Sequence, residues 1–322
     1  MPDYIKDWLE IIENMRNDNT YKLAWGRAIL EIGLEIDKIE DENIIDFNQI
    51  SLKMLKYYWN QIFFFDLKQS ASRTKIPEVV QETEKCIEFV NDKRNFNSPI
   101  WFDKAEVYLI KNRDFYDNEI TRISTTLKKD VCWRFMNINK QTKDLYKLDR
   151  ENKTIMLTRL QVQYLKEYAI VLSQLLNYRW AQLLEKYNNS PRIALKVKGI
   201  SDEKIRRNNL TKYKDILLNQ MDQGKIIDFY TGDILEENNI SVDHVIPWSF
   251  MYSDDIWNLV LTSRKFNSSK NNSIPTEEMI HKLEERNNDL IKTIDKSSVY
   301  YKDLKMAIEN NYVEKFYLSY RM

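Results

Sequence analysis

Asp243 and His244 stand side by side in the segment ISVDHVIPWSF. Asn258 follows the histidine by fourteen residues, and Asn267 follows Asn258 by nine. His244 is one of only two histidines in 322 residues. Imidazole is the side chain whose ordinary pKa lies near neutrality, so it suits a general base. A carboxylate and carboxamides offer oxygen ligands of the kind a hard divalent cation takes. The set can therefore hold one hard metal ion and one general base. The second histidine, His281, lies in EEMIHKLEERNNDL, a charged helical pattern that puts it on the surface.

The elements that must position these residues are legible in outline. Residues 226–230 (IIDFY) are apolar and β-prone, and Thr231-Gly232-Asp233 is turn chemistry. Ile240 to Ile246 is a second β-branched run, which Pro247 ends because it cannot donate to a ladder. Asp254 and Asp255 are N-cap candidates for a helix carrying Ile256, Trp257, Leu259, Val260 and Leu261. The expected order is strand, turn, strand, loop, helix.

Asp243-His244, Asn258 and Asn267 resemble the HNH, or ββα-metal, nuclease motif. DHVIPWSF, the two gaps and the tail SSKNNSIP look like the HNH domains of RNA-guided CRISPR effector nucleases and their free-standing relatives. The likeness covers about 50 residues, 226–275. It implies that His244 takes a proton from a water that then attacks phosphorus, and that Asp243 and Asn267 bind the metal. Oxygen ligands suit Mg²⁺ or Mn²⁺ rather than zinc. It makes Asn258 the positioning member of the catalytic set, tying the loop between strand and helix. It brings Lys270 near the scissile phosphate as a point charge, with Arg264 a further expected nucleic-acid contact. Many relatives carry cysteine pairs at the strand turn and after the helix to hold a structural zinc. Here those places read Tyr230-Thr231-Gly232 and Ser268-Ser269. No structural zinc is expected, and packing by Phe229, Tyr230, Trp248, Phe250 and Trp257 must hold the hairpin.

Composition bounds the rest. Five glycines and six prolines are few for this length and argue for long helices. Two cysteines, Cys86 and Cys132, cannot build a disulfide framework and fit a reducing cytosol, so a cytoplasmic location is expected. No apolar run reaches the length of a membrane span, and the acidic, amphipathic first residues do not read as a signal peptide. The net charge is zero, so bulk charge does not mark a nucleic-acid coat. The distribution is uneven: residues 1–50 hold 5 Lys/Arg against 12 Asp/Glu (5 − 12 = −7), and residues 192–225 hold 9 against 4 (9 − 4 = +5). The basic segment leads straight into the nuclease hairpin, where a phosphate backbone needs a footprint. Its helix, expected over 202–222, would turn Arg206, Arg207, Lys212 and Lys214 outward toward phosphate.

Periodicity predicts helices over about 4–15, 20–37, 48–65, 78–94 and 103–129, the last with a break near Asn112. DKIEDENIID (37–46) reads as a polar acidic break between them. The aromatic stripe of 48–65 reads as core. Residues 131–157 break the pattern and suggest a small β-hairpin or three short strands. Thr158 caps a helix running to about Tyr187, and two more helices are expected over about 276–294 and 297–317. The reading is a mainly α protein with a small β component: a helical N-terminal domain, 1–195, and an HNH nuclease unit, 196–322. The expected reaction is metal-dependent phosphodiester hydrolysis, with DNA the expected substrate, in bacterial defence or a mobile element. One such site cuts one strand, so a double-strand break would need a dimer or two nicks. The rivals are a partner-gated subunit whose helical half is a protein-interaction module, and an RNA-cleaving enzyme, since nothing here senses a 2′-hydroxyl.

Overall fold

A computed structural model describes the whole chain except residues 73–74, 189, 199–208, 219–224, 271–272 and 322. The chain divides into two compact units, Met1–Asn188 with Ile193–Glu203, and Asn189–Arg192 with Lys204–Met322. Both are dominated by helices, with a few short antiparallel strands.

The first unit runs α1 (Asp3–Asn14), α2 (Tyr21–Glu35), β1 (Glu42–Asp46), α3 (Phe47–Trp59), α4 (Glu78–Arg94), α5 (Phe102–Ile110), α6 (Arg113–Lys129) and α7 (Val131–Arg134). It continues through β2 (Asn137–Ile138), β3 (Gln141–Thr142), β4 (Lys147–Asp149), β5 (Thr154–Thr158), α8 (Arg159–Glu167), α9 (Ala169–Tyr187) and α10 (Ile193–Lys198). α2 is its axis, buried nearly all round from Leu23 to Gly33. A helix that is apolar on every side must be packed on every side. Gly26 makes this possible: a Cβ there would lie 2.7 Å from the Phe135 ring. The aromatic stripe of α3 is core, with Phe47, Tyr57, Tyr58 and Trp59 buried. At its end the backbone widens into a π-helical turn, Asn60–Phe64.

Two expectations for this unit are corrected. The acidic stretch at 37–46 is not only a break: β1 pairs antiparallel with β5, Ile44 opposite Met156. Its inward positions are Asn43 and Ile45, and the buried Asn43 amide donates to the carbonyls of Glu40 and Leu157. With Asn43 inward and Ile44 outward, the stretch shows no apolar–polar alternation. The helix expected over 158–187 is two helices that part at Tyr168. Thr158 does cap the first, in a capping box with Gln161. Within 131–157, residues 131–134 form a helical turn and the strands follow as two hairpins, β2–β3 and β4–β5.

The second unit contains α11 (Thr211–Leu218), β6 (Ile240–His244), α12 (Trp248–Met251), β7 (Leu259–Ser263), α13 (Arg264–Lys270), α14 (Glu277–Thr293), α15 (Val299–Glu309) and α16 (Tyr312–Arg321). Val245, Ile246, Phe250, Trp257, Leu259, Leu283, Leu290 and Leu304 are among the residues of its core.

Here the expected order of elements is corrected. Residues 226–235 make a tight turn with one isolated bridge, Ile227 to Ile234, not a full strand. The two strands are β6 and β7, and the helix is α13. Ile256–Asn258 is only a single 3₁₀ turn, and Leu259–Thr262 runs on as a strand buried on both faces. A short apolar run of this kind suits a buried strand as well as a helix, and periodicity alone does not separate them.

Candidate active site

β6 and β7 are antiparallel, with Asp243 opposite Val260 and His244 opposite Leu259. Side chains alternate along a strand, so Ser241 and Asp243 share one face and His244 projects to the other. α13 lies over the Ser241/Asp243 face. Asn267 Nδ2 donates to Ser241 Oγ at 2.7 Å, and Lys270 Nζ donates to Asp243 Oδ2 at 2.7 Å. Asn267 and Lys270 are three apart on the helix and therefore share its inward side. The fold thus brings Asp243 and Asn267 to one side of the strand, across sequence gaps that carry no such information.

Asp243 is held closely. Its Oδ2 also accepts from the Tyr230 hydroxyl at 2.7 Å. The Tyr230 ring stacks on Phe266, with centroids 4.7 Å apart and planes at 17°. Burial, then the Asp243 carboxylate, holds the Tyr230 hydroxyl protonated far above its ordinary range. Lys270 is buried, its side chain 5% exposed. Its ammonium sits over the Tyr230 ring and also reaches the carbonyls of His244 and Val245. Burial lowers its pKa, against the pull of Asp243. Lys270, the residue expected near the scissile phosphate, is enclosed in an ion pair with Asp243.

His244 ends β6, and its Nε2 lies 3.0 Å from Asp254 Oδ1, both side chains almost fully buried. Asp254 was expected to start a helix; its carboxylate meets the imidazole instead. Asn258 is fully buried and belongs to the 3₁₀ turn before β7, not to a helix. Its carboxamide makes a closed pair with the backbone of Ile246, accepting from N–H at 2.8 Å and donating to C=O at 2.8 Å. Its own carbonyl accepts from Val245 N at 2.9 Å. The chain leaving His244 is therefore clamped at two successive residues. α14 braces the same turn: Asn287 Nδ2 donates to Trp257 O at 2.9 Å, and Arg286 reaches the carbonyls of Ile256 and Trp257.

Of the expected nucleic-acid contacts, Arg264 is exposed on the first turn of α13. Lys212 is exposed on α11, its ammonium 4.8 Å from the Tyr213 ring centroid and within electrostatic reach of Asp254. Arg206 and Arg207 lie outside the described residues. His281 is exposed, beside Glu284.

Among the described residues no three His, Cys, Asp or Glu side chains cluster as metal ligands. The chemistry of the site nevertheless fits a hard cation. The Lys270 ammonium already sits among three oxygens, those of Asp243, His244 and Val245. With Asn267 engaged through its nitrogen, its carbonyl oxygen is the atom able to ligate. Oxygen donors around a positive charge suit Mg²⁺ or Mn²⁺ in kind.

Residues 228–276 match a family model described as HNH endonuclease. This segment is an HNH endonuclease domain. It contains Asp243, His244, Asn258, Asn267 and Lys270, together with Tyr230 and Asp254. The chain is 35% identical over 91 residues to the CRISPR-associated endonuclease Cas9 of Listeria innocua serovar 6a, covering 27% of this chain and 6% of that protein. It is 37% identical over 59 residues to the Cas9 of Streptococcus mutans serotype c, covering 17% and 4%. The chain thus spans a small fraction of the length of these relatives. No solved structure matches. Tyr230 was placed only as packing; it proves to be a hydrogen-bond partner of the HNH aspartate.

Proposed function

We propose that this chain is a metal-dependent phosphodiester hydrolase that cuts DNA through its HNH domain. The observation that supports it most directly is the convergence of Asp243 and Asn267 on one side of β6, with His244 next in the chain. Asp243 and Asn267 hold the divalent ion, which when bound stabilises charge on the phosphate and on the departing 3′ oxygen. His244 takes a proton from the attacking water. Asn258 keeps the segment after His244 in place. Lys212 and Arg264, exposed and cationic, meet the phosphate backbone outside the reacting bond. A role in bacterial defence or a mobile element, in the cytoplasm, belongs to the same proposal.

Pure protein incubated with supercoiled plasmid in Mg²⁺, Mn²⁺ or chelator tests this reading. Metal-dependent nicking is expected, with His244→Ala slower by about 10²- to 10⁴-fold, the share a positioned base supplies. Asp243→Ala should lose both cleavage and Mn²⁺ binding. Cleavage at the normal rate by His244→Ala would refute the assignment of the base.

A second reading is favoured by the Lys270–Asp243 ion pair: the nuclease stays silent until a partner or the substrate draws Lys270 away. An inert pure protein that begins to cut when a partner protein is supplied would select this reading over the autonomous enzyme. Cleavage of RNA but not of plasmid would instead select an RNA substrate.

A further inference from the structure

We propose that Asp254 is the positioning residue for His244, fixing the ring so that Nε2 carries its proton and Nδ1 is the nitrogen that receives the proton from water. The proposal rests on reading His244 as the general base. Nε2 lies 3.0 Å from Asp254 Oδ1, and the two side chains are 8% and 7% exposed. A neutral imidazole has one donor nitrogen and one acceptor nitrogen. An ionised carboxylate only accepts, so the hydrogen bond exists when Nε2 bears the hydrogen. Nδ1 is then left with its lone pair. When the base takes a proton at Nδ1, the carboxylate stays in place to stabilise the imidazolium that forms.

The two acidic residues flanking the histidine, in sequence and in space, therefore do different work. Asp243 is satisfied by Tyr230 and Lys270 on one face of β6. Asp254 reaches His244 from the loop between α12 and the 3₁₀ turn. That loop is built to present it. Tyr252 takes a left-handed backbone at φ 53° as α12 ends. Arg192 Nη1 donates to Met251 O at 3.2 Å and to Asp255 Oδ2 at 3.3 Å, spanning the loop from one side to the other. Ser253 Oγ donates to Asp255 as well. Asp255 is thus the anchor of the loop, while Asp254 turns inward. Neither residue acts as the side-chain helix cap that the sequence suggested.

A histidine that merely fills a buried space would also accept such a partner, so the test needs a readout that packing alone would not move. Nitrogen–proton correlation NMR of the metal-free, isotope-labelled protein provides one. With two histidines, His281→Gln assigns the exposed ring. The His244 ring should show a downfield, slowly exchanging proton on Nε2 and a bare, pyridine-type Nδ1. In Asp254→Ala that downfield proton is lost. Asp254→Asn keeps the shape, but its carboxamide can donate to Nε2 and favour the tautomer protonated at Nδ1. Single-turnover cleavage by either variant should fall by about 10²- to 10⁴-fold, while DNA affinity and Mn²⁺ affinity hold.

A wild-type spectrum with the proton on Nδ1 overturns the proposal, whether or not the variants fold. So does wild-type cleavage by Asp254→Ala. Failure of the underlying reading looks different: His244→Ala would cut normally while the wild-type spectrum still showed the Nε2 proton.

Discussion

Replacing Asn258 with alanine removes a clamp, not a reacting group, and the structure sets the size of the effect. The carboxamide makes two hydrogen bonds of 2.8 Å, both to the backbone of Ile246, in a fully buried setting. Deleting it leaves a buried N–H and a buried C=O without these partners. Each such loss costs about 1–3 kcal/mol. The pair shares one site and is not additive, so about 2–4 kcal/mol is expected, a large part of the 5–15 kcal/mol that holds a typical domain. The loss is local at first, because these bonds fix the chain directly after His244. Hydrogen exchange at the Ile246 amide reads it: protection should fall by roughly tenfold for each 1.4 kcal/mol of lost local stability. Cleavage should fall in parallel, with DNA affinity retained. Asn258→Asp is a sharper control. It is the same shape and still accepts from Ile246 N–H, but it sets a carboxylate oxygen against Ile246 C=O, so it should be at least as damaging. If Asn258→Ala lost cleavage and DNA affinity while exchange at Ile246 stayed unchanged, the residue would be a substrate contact and the clamp reasoning would fail.

Two further predictions concern the first unit. Glu119 is buried beside Glu82, and burial, then that neighbour, raises its pKa from 4.5 to about 7. A raised carboxyl in the folded state costs nothing while both states are protonated. The cost grows as pH rises from 4.5 and levels off above about 7. Glu119→Gln should therefore stabilise the protein by about 1–2 kcal/mol at alkaline pH and leave it unchanged in acid; equal stability at alkaline pH, by denaturant titration, would refute this. Gly26→Ala should destabilise by about 1–3 kcal/mol despite alanine's better helix propensity, because its Cβ would lie 2.7 Å and 2.9 Å from Phe135 ring carbons. A raised melting temperature would show that Phe135 can move aside.

Much of this was readable from the chain, and what was not has physical reasons. The helices at 3–14, 21–35, 78–94 and 277–293 announced themselves by the period of their apolar residues. The strand at 42–46 did not, because Asn43 turns inward and Ile44 outward, which breaks the apolar–polar alternation of a strand. The strand at 259–263 did not, because Leu-Val-Leu-Thr is buried on both faces and shows no alternation. Asp243, His244, Asn258 and Asn267 stood out in the sequence by type and spacing, and the side chains they meet in the fold did not. Nothing in Ser253-Asp254-Asp255 says which aspartate meets His244. That depends on Arg192 taking the other, 63 residues earlier in the chain. Nor does the spacing of Lys270 reveal an inward ammonium, since a lysine on a short helix is usually solvated.

The hairpin that carries the site needs a tie between its turn and its strand, and Asp228 supplies one. It was read as part of a strand, yet it is buried and acts as a hub. Its Oδ1 accepts from Tyr230 N at 2.9 Å and Thr231 N at 3.3 Å, within its own turn. Its Oδ2 accepts from Ser263 N at 2.8 Å, and both oxygens accept from the Thr262 hydroxyl, at the far end of β7. Burial alone would raise its pKa, but these donors outweigh burial and hold it below the ordinary carboxylate range. One carboxylate therefore joins the turn at 228–235 to the strand that leads into α13. Phe229 N–H adds a backbone bond to Leu261 O at 3.0 Å, and Gly232 takes the positive φ that closes the turn. The same turn aims Tyr230 at Asp243. In a domain whose sequence has no cysteine at this turn, hydrogen bonds and the aromatic stack of Tyr230 on Phe266 do the joining. They place the partner of the proposed metal ligand in the same step.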